Sequence, residues 1–217
     1  SRGRNNIRPY AKPWNDKRWR FKKDVWLMEK IWQELTDRFM EWNWQINLSA
    51  IRNPDDIYIK HIMDSIKLND FFLFPKNSKI VDIWTWWWFP LLPLAITNSD
   101  SHFTGIETRN KKVTAVNDIA QKLGITNAKV IWSRIEEHKE KYDFLTARAV
   151  WMVDKILPIS YELLKKWWKF IFFKMQSEDE QKLFNKMIKK YNLKIISKNE
   201  YTLFDWDIPR IIRILQK

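Results

Sequence analysis

The 217-residue chain has no cysteine, only three glycines and three histidines, and no run of 18 or more apolar residues. Without cysteine there is no disulfide, thiolate metal site or cysteine nucleophile, which fits a reducing compartment and an expected cytoplasmic location. Without a long apolar run no transmembrane helix is expected, and the N-terminal stretch lacks the apolar centre of a signal peptide. His61, His102 and His138 are scattered, so no metal site is expected. The glycine deficit is the sharpest of these absences. Proteins ordinarily carry about 7% glycine, and turns with φ > 0 or a close backbone approach to a ligand depend on it.

What stands in glycine's place is tryptophan, fifteen of them. Residues 80–90 read IVDIWTWWWFP: an apolar strand with Asp82 near its end, then Trp84, Trp86, Trp87 and Trp88, then Phe89-Pro90. Read with glycine at the tryptophans, the segment becomes a strand entering a nucleotide-type cofactor loop, G-T-G-x-G. If fourteen of the tryptophans stood for glycine, the chain would hold 17 of 217, close to an ordinary share. Some bacterial lineages decode UGA as glycine, and a translation table assigning UGA to tryptophan writes Trp at each such codon. The expectation is therefore that most tryptophans here are recoded glycines. The alternative is a degenerate, inactive loop.

Charge points to the partner. A net charge of +13 and a pI near 9.8 suit a polyanion, either nucleic acid or an acidic membrane surface. Residues 1–23 hold nine Lys/Arg and one acid, Asp16, a net of +8 with Pro9 and Pro13 among them. This reads as a basic flexible arm, either touching phosphate or merely solvated. The chain begins at Ser1 rather than Met, which leaves open an upstream piece or a tag remnant.

From Asp24 to Trp42 the apolar residues Val25, Met28, Ile31, Leu35 and Phe39 recur at helical spacing. Pro54-Asp55 opens a second helix through Ile66, and Pro75 closes a helical N-terminal extension, residues 24–76. Residues 77–217 then alternate short strands (80–83, 102–107, 128–131, 142–147, 169–174) with helices (91–97, 111–123, 154–166, 178–191). The pattern predicts right-handed βαβ crossovers and a Rossmann-like α/β fold with a mainly parallel seven-stranded sheet. Residues 193–198 and 210–215 follow without an intervening helix and predict a terminal hairpin with an antiparallel edge strand.

Asp82 behind the loop and Glu107 at the end of the second strand, 23 residues after Trp84, form the candidate site. An acid at that distance accepts hydrogen bonds from ribose hydroxyls, and Asp82 is placed near the amine of a methionine moiety. The pattern does not by itself separate nicotinamide cofactors from S-adenosyl-L-methionine. The G-x-G-x-G spacing leans to the latter, because a dinucleotide loop wants G-x-G-x-x-G. Arg148, after an apolar strand, faces the ligand crevice of an open α/β sheet.

The segments 42–66 (WNWQINLSAIRNPDDIYIKHIMDSI), 81–96 (VDIWTWWWFPLLPLAI), 103–113 (FTGIETRNKKV), 127–138 (NAKVIWSRIEEH), 142–150 (YDFLTARAV) and 163–174 (LLKKWWKFIFFK) make the reading specific. Over residues 40 to 175 the chain resembles the glucose-inhibited division protein B family, the bacterial 16S rRNA guanine-N7 methyltransferases. The departures are nearly all Trp for Gly. Trp84, Trp86 and Trp88 fall on the loop glycines, Trp167-Trp168 on a Gly-Gly before the fifth strand, and Trp132 at the end of the third strand. Trp42 matches a family tryptophan, whereas Leu91 occupies a usual glycine position and is not explained by codon reading. The resemblance implies S-adenosyl-L-methionine as cofactor, contacted by Trp84, Phe89, Ile135, Glu136 and Arg148, and the loop backbone at Trp86 and Trp88 is expected to face it as well.

His61 and Asp64, three apart on one helix face, either line the guanine pocket as catalytic residues or form a structural pair. Guanine N7 carries an in-plane lone pair and no proton, so the implied reaction needs alignment rather than an obligatory general base. Its base must be accessible, which points to an unpaired loop nucleotide. Arg52, Lys60, Lys111, Lys112 and the arm are the candidate phosphate contacts, on a chain expected to be monomeric. The rivals are a methyltransferase acting on a non-RNA substrate and, if the loop tryptophans are genuine, a silent RNA-binding protein.

Overall fold

A computed structural model of the chain describes residues 22–83, 89–148, 154, 157–158, 161–175, 178–203 and 206–216. Seven strands form one sheet in the order β3-β2-β1-β4-β5-β7-β6: β1 Lys79–Ile83, β2 His102–Glu107, β3 Ala128–Trp132, β4 Tyr142–Arg148, β5 Leu164–Met175, β6 Lys194–Leu203 and β7 Trp206–Gln216. The strands β1 to β5 are parallel. The antiparallel contribution is the terminal hairpin, in which β7 inserts between β5 and β6 and runs against both.

Alternate residues of each strand feed opposite faces, as the two-residue period requires. Ile80, Phe103, Val130, Phe144, Ile171 and Ile212 face a core completed by the N-terminal helices and by α3 (Leu91–Thr97) and α4 (Asn110–Lys122). Val81, Ile83, Ile106, Leu145, Phe170 and Phe172 face a second core closed by α5 (Glu178–Lys190). The long helix α1, Lys22–Ile46, buries Trp32, Leu35 and Phe39 in the first core. The helical extension therefore shares its core with one face of the sheet.

The loop 47–53 is held to the end of α1 by side chains visible in its sequence. Asn43 donates to the Ile51 carbonyl at 2.8 Å and accepts from the Ser49 amide at 2.6 Å, while Asn47 takes a left-handed φ of 51°. Asn53 then caps the next helix through the Asp55 amide. That helix, α2, is a composite: α over Pro54–Ile57, π over Tyr58–Met63, α again over Asp64–Ile66 and 3-10 over Lys67–Asp70.

The hairpin strands run longer than the expected 193–198 and 210–215, and one helix boundary shifts. Leu164, Lys165 and Lys166 belong to β5 rather than to the preceding helix, because Tyr142 pairs with Leu164 and donates to the Leu163 carbonyl at 2.8 Å. No helix among the described residues is long and apolar enough to cross a membrane.

Candidate functional site

β1 has β2 on one side and β4 on the other, so the chain reverses its winding direction at β1. In open α/β sheets the crevice beyond the carboxyl ends of such strands is where ligands bind. Asp82 lies there, in register with Gly105 of β2 and Thr146 of β4. It is 1% exposed and accepts a hydrogen bond from the Thr146 hydroxyl at 3.1 Å. Burial pushes its carboxyl up to about 8, against the smaller opposing effects of that hydrogen bond and the Arg148 charge. A buried acid so reluctant to ionise is a fitting partner for a cationic ligand group, which would supply the missing charge.

This raised acidity has a measurable consequence. An unfolded-chain aspartate titrates near about 3.9, so folding holds the Asp82 proton over the intervening range. The contribution is fully present below about pH 4 and is lost as pH rises through about 8. The unfolding free energy of the ligand-free protein, relative to Asp82→Asn, is expected to fall at roughly 1.4 kcal/mol per pH unit between those limits. A parallel pair of pH–stability curves would show instead that Asp82 is ionised in the folded chain.

Glu107 ends β2, 8% exposed. Its Oε1 accepts the Arg109 amide at 2.9 Å and its Oε2 stands 4.0 Å from the Lys112 ammonium. A carboxylate offers about four acceptor sites, so these contacts orient the group and leave capacity for ligand hydroxyls. The same pair corrects one expectation. Lys112 is 8% exposed, beside Glu107, with its ammonium pKa lowered mainly by burial. It is an interior partner of Glu107 and not a surface phosphate contact.

Arg148, at the end of β4, joins the sheet to the π segment. Its guanidinium ion-pairs with Asp64 and donates to the carbonyls of Lys60 and His61, the latter at 3.2 Å. The Ser65 hydroxyl lies 3.4 Å away and itself donates to the His61 carbonyl at 2.6 Å. π turns are rare and concentrate at functional sites; this one presents two successive carbonyls to one guanidinium. Asp64, 1% exposed, also takes Arg210 of β7 at 3.2 Å and the Tyr201 hydroxyl of β6 at 2.9 Å. Tyr201 and Arg210 were not singled out from the sequence, since one arginine and one tyrosine in a terminal hairpin give no signal of a partner more than 130 residues away.

These contacts redirect the expectation for His61 and Asp64 as catalytic residues. Asp64 is already neutralised by two guanidiniums inside the protein. His61, 7% exposed, stacks on Phe89 at 5.0 Å, and burial followed by the Arg148 charge holds its pKa well below the usual imidazole value. Both position the π segment. Phe89 packs against Phe39 at 5.4 Å as well, so its ring is part of the core.

Ile135 and Glu136 form a 3-10 turn after β3. They line a cavity of about 440 Å³ with His138, Lys139, Lys141, Pro158, Glu162 and Leu163. The loop residues Trp84, Trp86, Trp87 and Trp88 lie outside the described residues, as does the arm 1–21. Among the phosphate candidates, Lys111 is exposed. Arg52 is exposed but held by the Asn43 carbonyl and Asn47, over the Trp44 ring at 5.2 Å. Lys60 is paired with Asp56 at 3.0 Å. No cluster of metal-ligating side chains exists among the described residues.

The family model described as GidB, rRNA small subunit methyltransferase G, matches residues 28–202. Ribosomal RNA small subunit methyltransferase G of Listeria welshimeri is 29% identical over 195 residues, covering 87% of this chain and 82% of that protein. Its counterpart in Listeria monocytogenes is 30% identical with the same coverage. Among solved structures, a SAM-dependent methyltransferase from Aquifex aeolicus aligns with a TM-score of 0.59 at 13% identity, over 75% of this chain and 93% of that one. TrmK of M. capricolum, solved with S-adenosyl-homocysteine, aligns with a TM-score of 0.53 at 16% identity, over 72% of this chain and 67% of that one. At these identities the two structures speak to the fold.

Proposed function

Because the chain belongs to the GidB family, we propose that it transfers a methyl group from S-adenosyl-L-methionine to N7 of a guanine in an unpaired loop of 16S ribosomal RNA. The enzyme is an S-adenosylmethionine-dependent rRNA methyltransferase. The observation that carries the site assignment is the pair of acids, Asp82 and Glu107, at the carboxyl ends of adjacent parallel strands. Bound in that crevice, the cofactor supplies an electrophilic methyl group on a sulfonium.

Asp82 accepts from the cofactor's ammonium group and ionises as it does so, which couples binding to proton release below about pH 8. Glu107 takes the ribose hydroxyls, and the 135–136 turn borders the adenine. Arg148 fixes the distance between the strand ends and the π segment, and so acts through position. No residue need remove a proton from N7; the chain's task is to hold the base in line at about 3–3.5 Å from the methyl carbon. Arg52, Lys60, Lys111 and the arm 1–23 meet the RNA backbone in a monomeric, cytoplasmic protein.

The tryptophans at family glycine positions are read as UGA codons decoded as glycine. Support comes from the contrast between tryptophans. The Trp42 indole donates to Asp118 at 3.0 Å, tying α1 to α4, and Trp32 is 1% exposed in the core. Glycine would lose both functions. Trp132, at a family glycine position, is 66% exposed and buries no core, its indole reaching only the neighbouring Thr108 carbonyl at 2.9 Å. The intact mass of protein from its native host should fall short of the written sequence by several Trp-to-Gly differences, with Trp32 and Trp42 retained; UGG codons at 84, 86 and 88 would overturn the recoding.

The methylated atom is tested by chemical cleavage of small-subunit rRNA after reaction. Cleavage at one alkylated guanine is expected, and methyl incorporation without cleavage would place the methyl elsewhere than N7.

A further inference from the structure

Four helical lysines elsewhere pair with an acid one turn away: Lys30 with Glu34, Lys60 with Asp56, Lys67 with Asp70 and Lys122 with Asp118. α5 opens with three acids, Glu178, Asp179 and Glu180, and carries only basic charge after them. From Gln181 to Ser197 the sequence holds Lys182, Lys186, Lys189, Lys190 and Lys194 and no acid. Among the described residues the adjacent ion pairs along the chain, Lys165–Asp143 and Lys198–Glu200, do not reach them. All five are exposed. Lysines in a last turn complement the helix dipole, which accounts for Lys189 and Lys190 but not for Lys182, Lys186 or Lys194.

The placement is directional. Phe184 and Met187 are buried under the sheet, with Tyr191 half-buried beside them. At 100° per residue, Lys182, Lys186 and Lys189 share the opposite, solvent side. Lys182 and Lys186 are separated by about 6 Å of helix rise, close to the spacing of successive phosphates on one strand. Because β6 and β5 both run against β7, β6 is parallel to β5. α5 therefore descends from the carboxyl end of the sheet, where the site lies, to the amino end, where Lys194 begins β6. The amides Gln181 and Asn185, hydrogen-bonded at 2.8 Å, separate the lysines from the buried side of the helix. A polar face without bulky apolar side chains suits a phosphate backbone rather than a lipid surface.

We infer that the outer face of α5, through Lys182, Lys186 and Lys189, is a second RNA-docking surface that tracks substrate phosphates away from the catalytic end of the sheet. It rests on the rRNA reading above. α5 packs over β5 and β7, through Phe184 on Phe172 and Gln181 on Arg213, two to three strand spacings from β1, about 10–14 Å, so this surface engages a part of the RNA away from the reacting base.

The test is the full chain carrying Lys182→Gln, Lys186→Gln and Lys189→Gln together. Methylation of small-subunit rRNA is followed against salt, with cofactor affinity measured by calorimetry and binding to anionic phosphatidylserine vesicles measured alongside. The expected result is a several-fold rise in KM for RNA and a log–log salt slope shallower by about 2, from about 0.7 per lost contact. The kcat at saturating RNA and the cofactor affinity should not change. If wild type methylates rRNA and the variant matches it in KM and slope, the inference is overturned while the function stands. A wild type that binds cofactor but ignores rRNA defeats the function itself and the inference with it. Vesicle binding lost in the variant with RNA kinetics unchanged overturns the inference in favour of a membrane patch.

Discussion

Asp64→Ala is expected to lower the unfolding free energy by about 3–5 kcal/mol, the cost of breaking a buried ion pair from one side. The change takes away the carboxylate oxygen that the Arg148 and Arg210 guanidiniums share, and leaves their like charges close together in the interior. It also removes the acceptor of the Tyr201 hydroxyl. Denaturant unfolding of the two proteins measures the loss. Asp64→Asn, which keeps the shape and an acceptor for Tyr201, separates charge from packing and should lose somewhat less. If Asp64→Ala cost under 1 kcal/mol, the pair would be solvent-screened and the joint between π segment, β4 and hairpin would not be a structural anchor.

The second large effect concerns the loop. Protein made with Trp84→Gly, Trp86→Gly, Trp87→Gly and Trp88→Gly should bind S-adenosyl-L-methionine, whereas protein carrying four tryptophans there should not. Each indole presents 150–250 Å² of surface to be buried, in a turn whose backbone must approach the ligand closely. Calorimetry on both proteins, each of verified mass, distinguishes them. Equal affinity would show that the loop does not contact the cofactor. Failure of both to bind would leave a silent RNA-binding protein as the better description.

Much of this fold was legible because short apolar strand runs alternating with helices leave few topologies. Asp82 and Glu107 were legible too, since strand-end acids follow from the strand boundaries alone. The Asp64 network was not. Asp64 and His61 were read as three apart on one helix face, but their partners, Phe89 for His61 and β4, β6 and β7 for Asp64, lie far along the chain, and no local pattern reports a contact spanning 146 residues. Lys112 failed for a related reason: one turn of helix separates a solvated lysine from one turned onto Glu107, and only packing decides which. The end of the 154–166 helix was misplaced because Leu164-Lys165-Lys166 has no strand period of its own; its ladder with Tyr142 makes it a strand.

The most direct measurement is transfer of labelled methyl from S-adenosyl-L-methionine by the native-host protein, with small-subunit rRNA and a panel of small metabolites offered in parallel. The predicted result is stoichiometric labelling of the rRNA, falling steeply with salt as a polyanionic substrate requires, and no labelling of the metabolites. A salt-insensitive enzyme that methylates a metabolite and leaves the rRNA unlabelled would contradict the account.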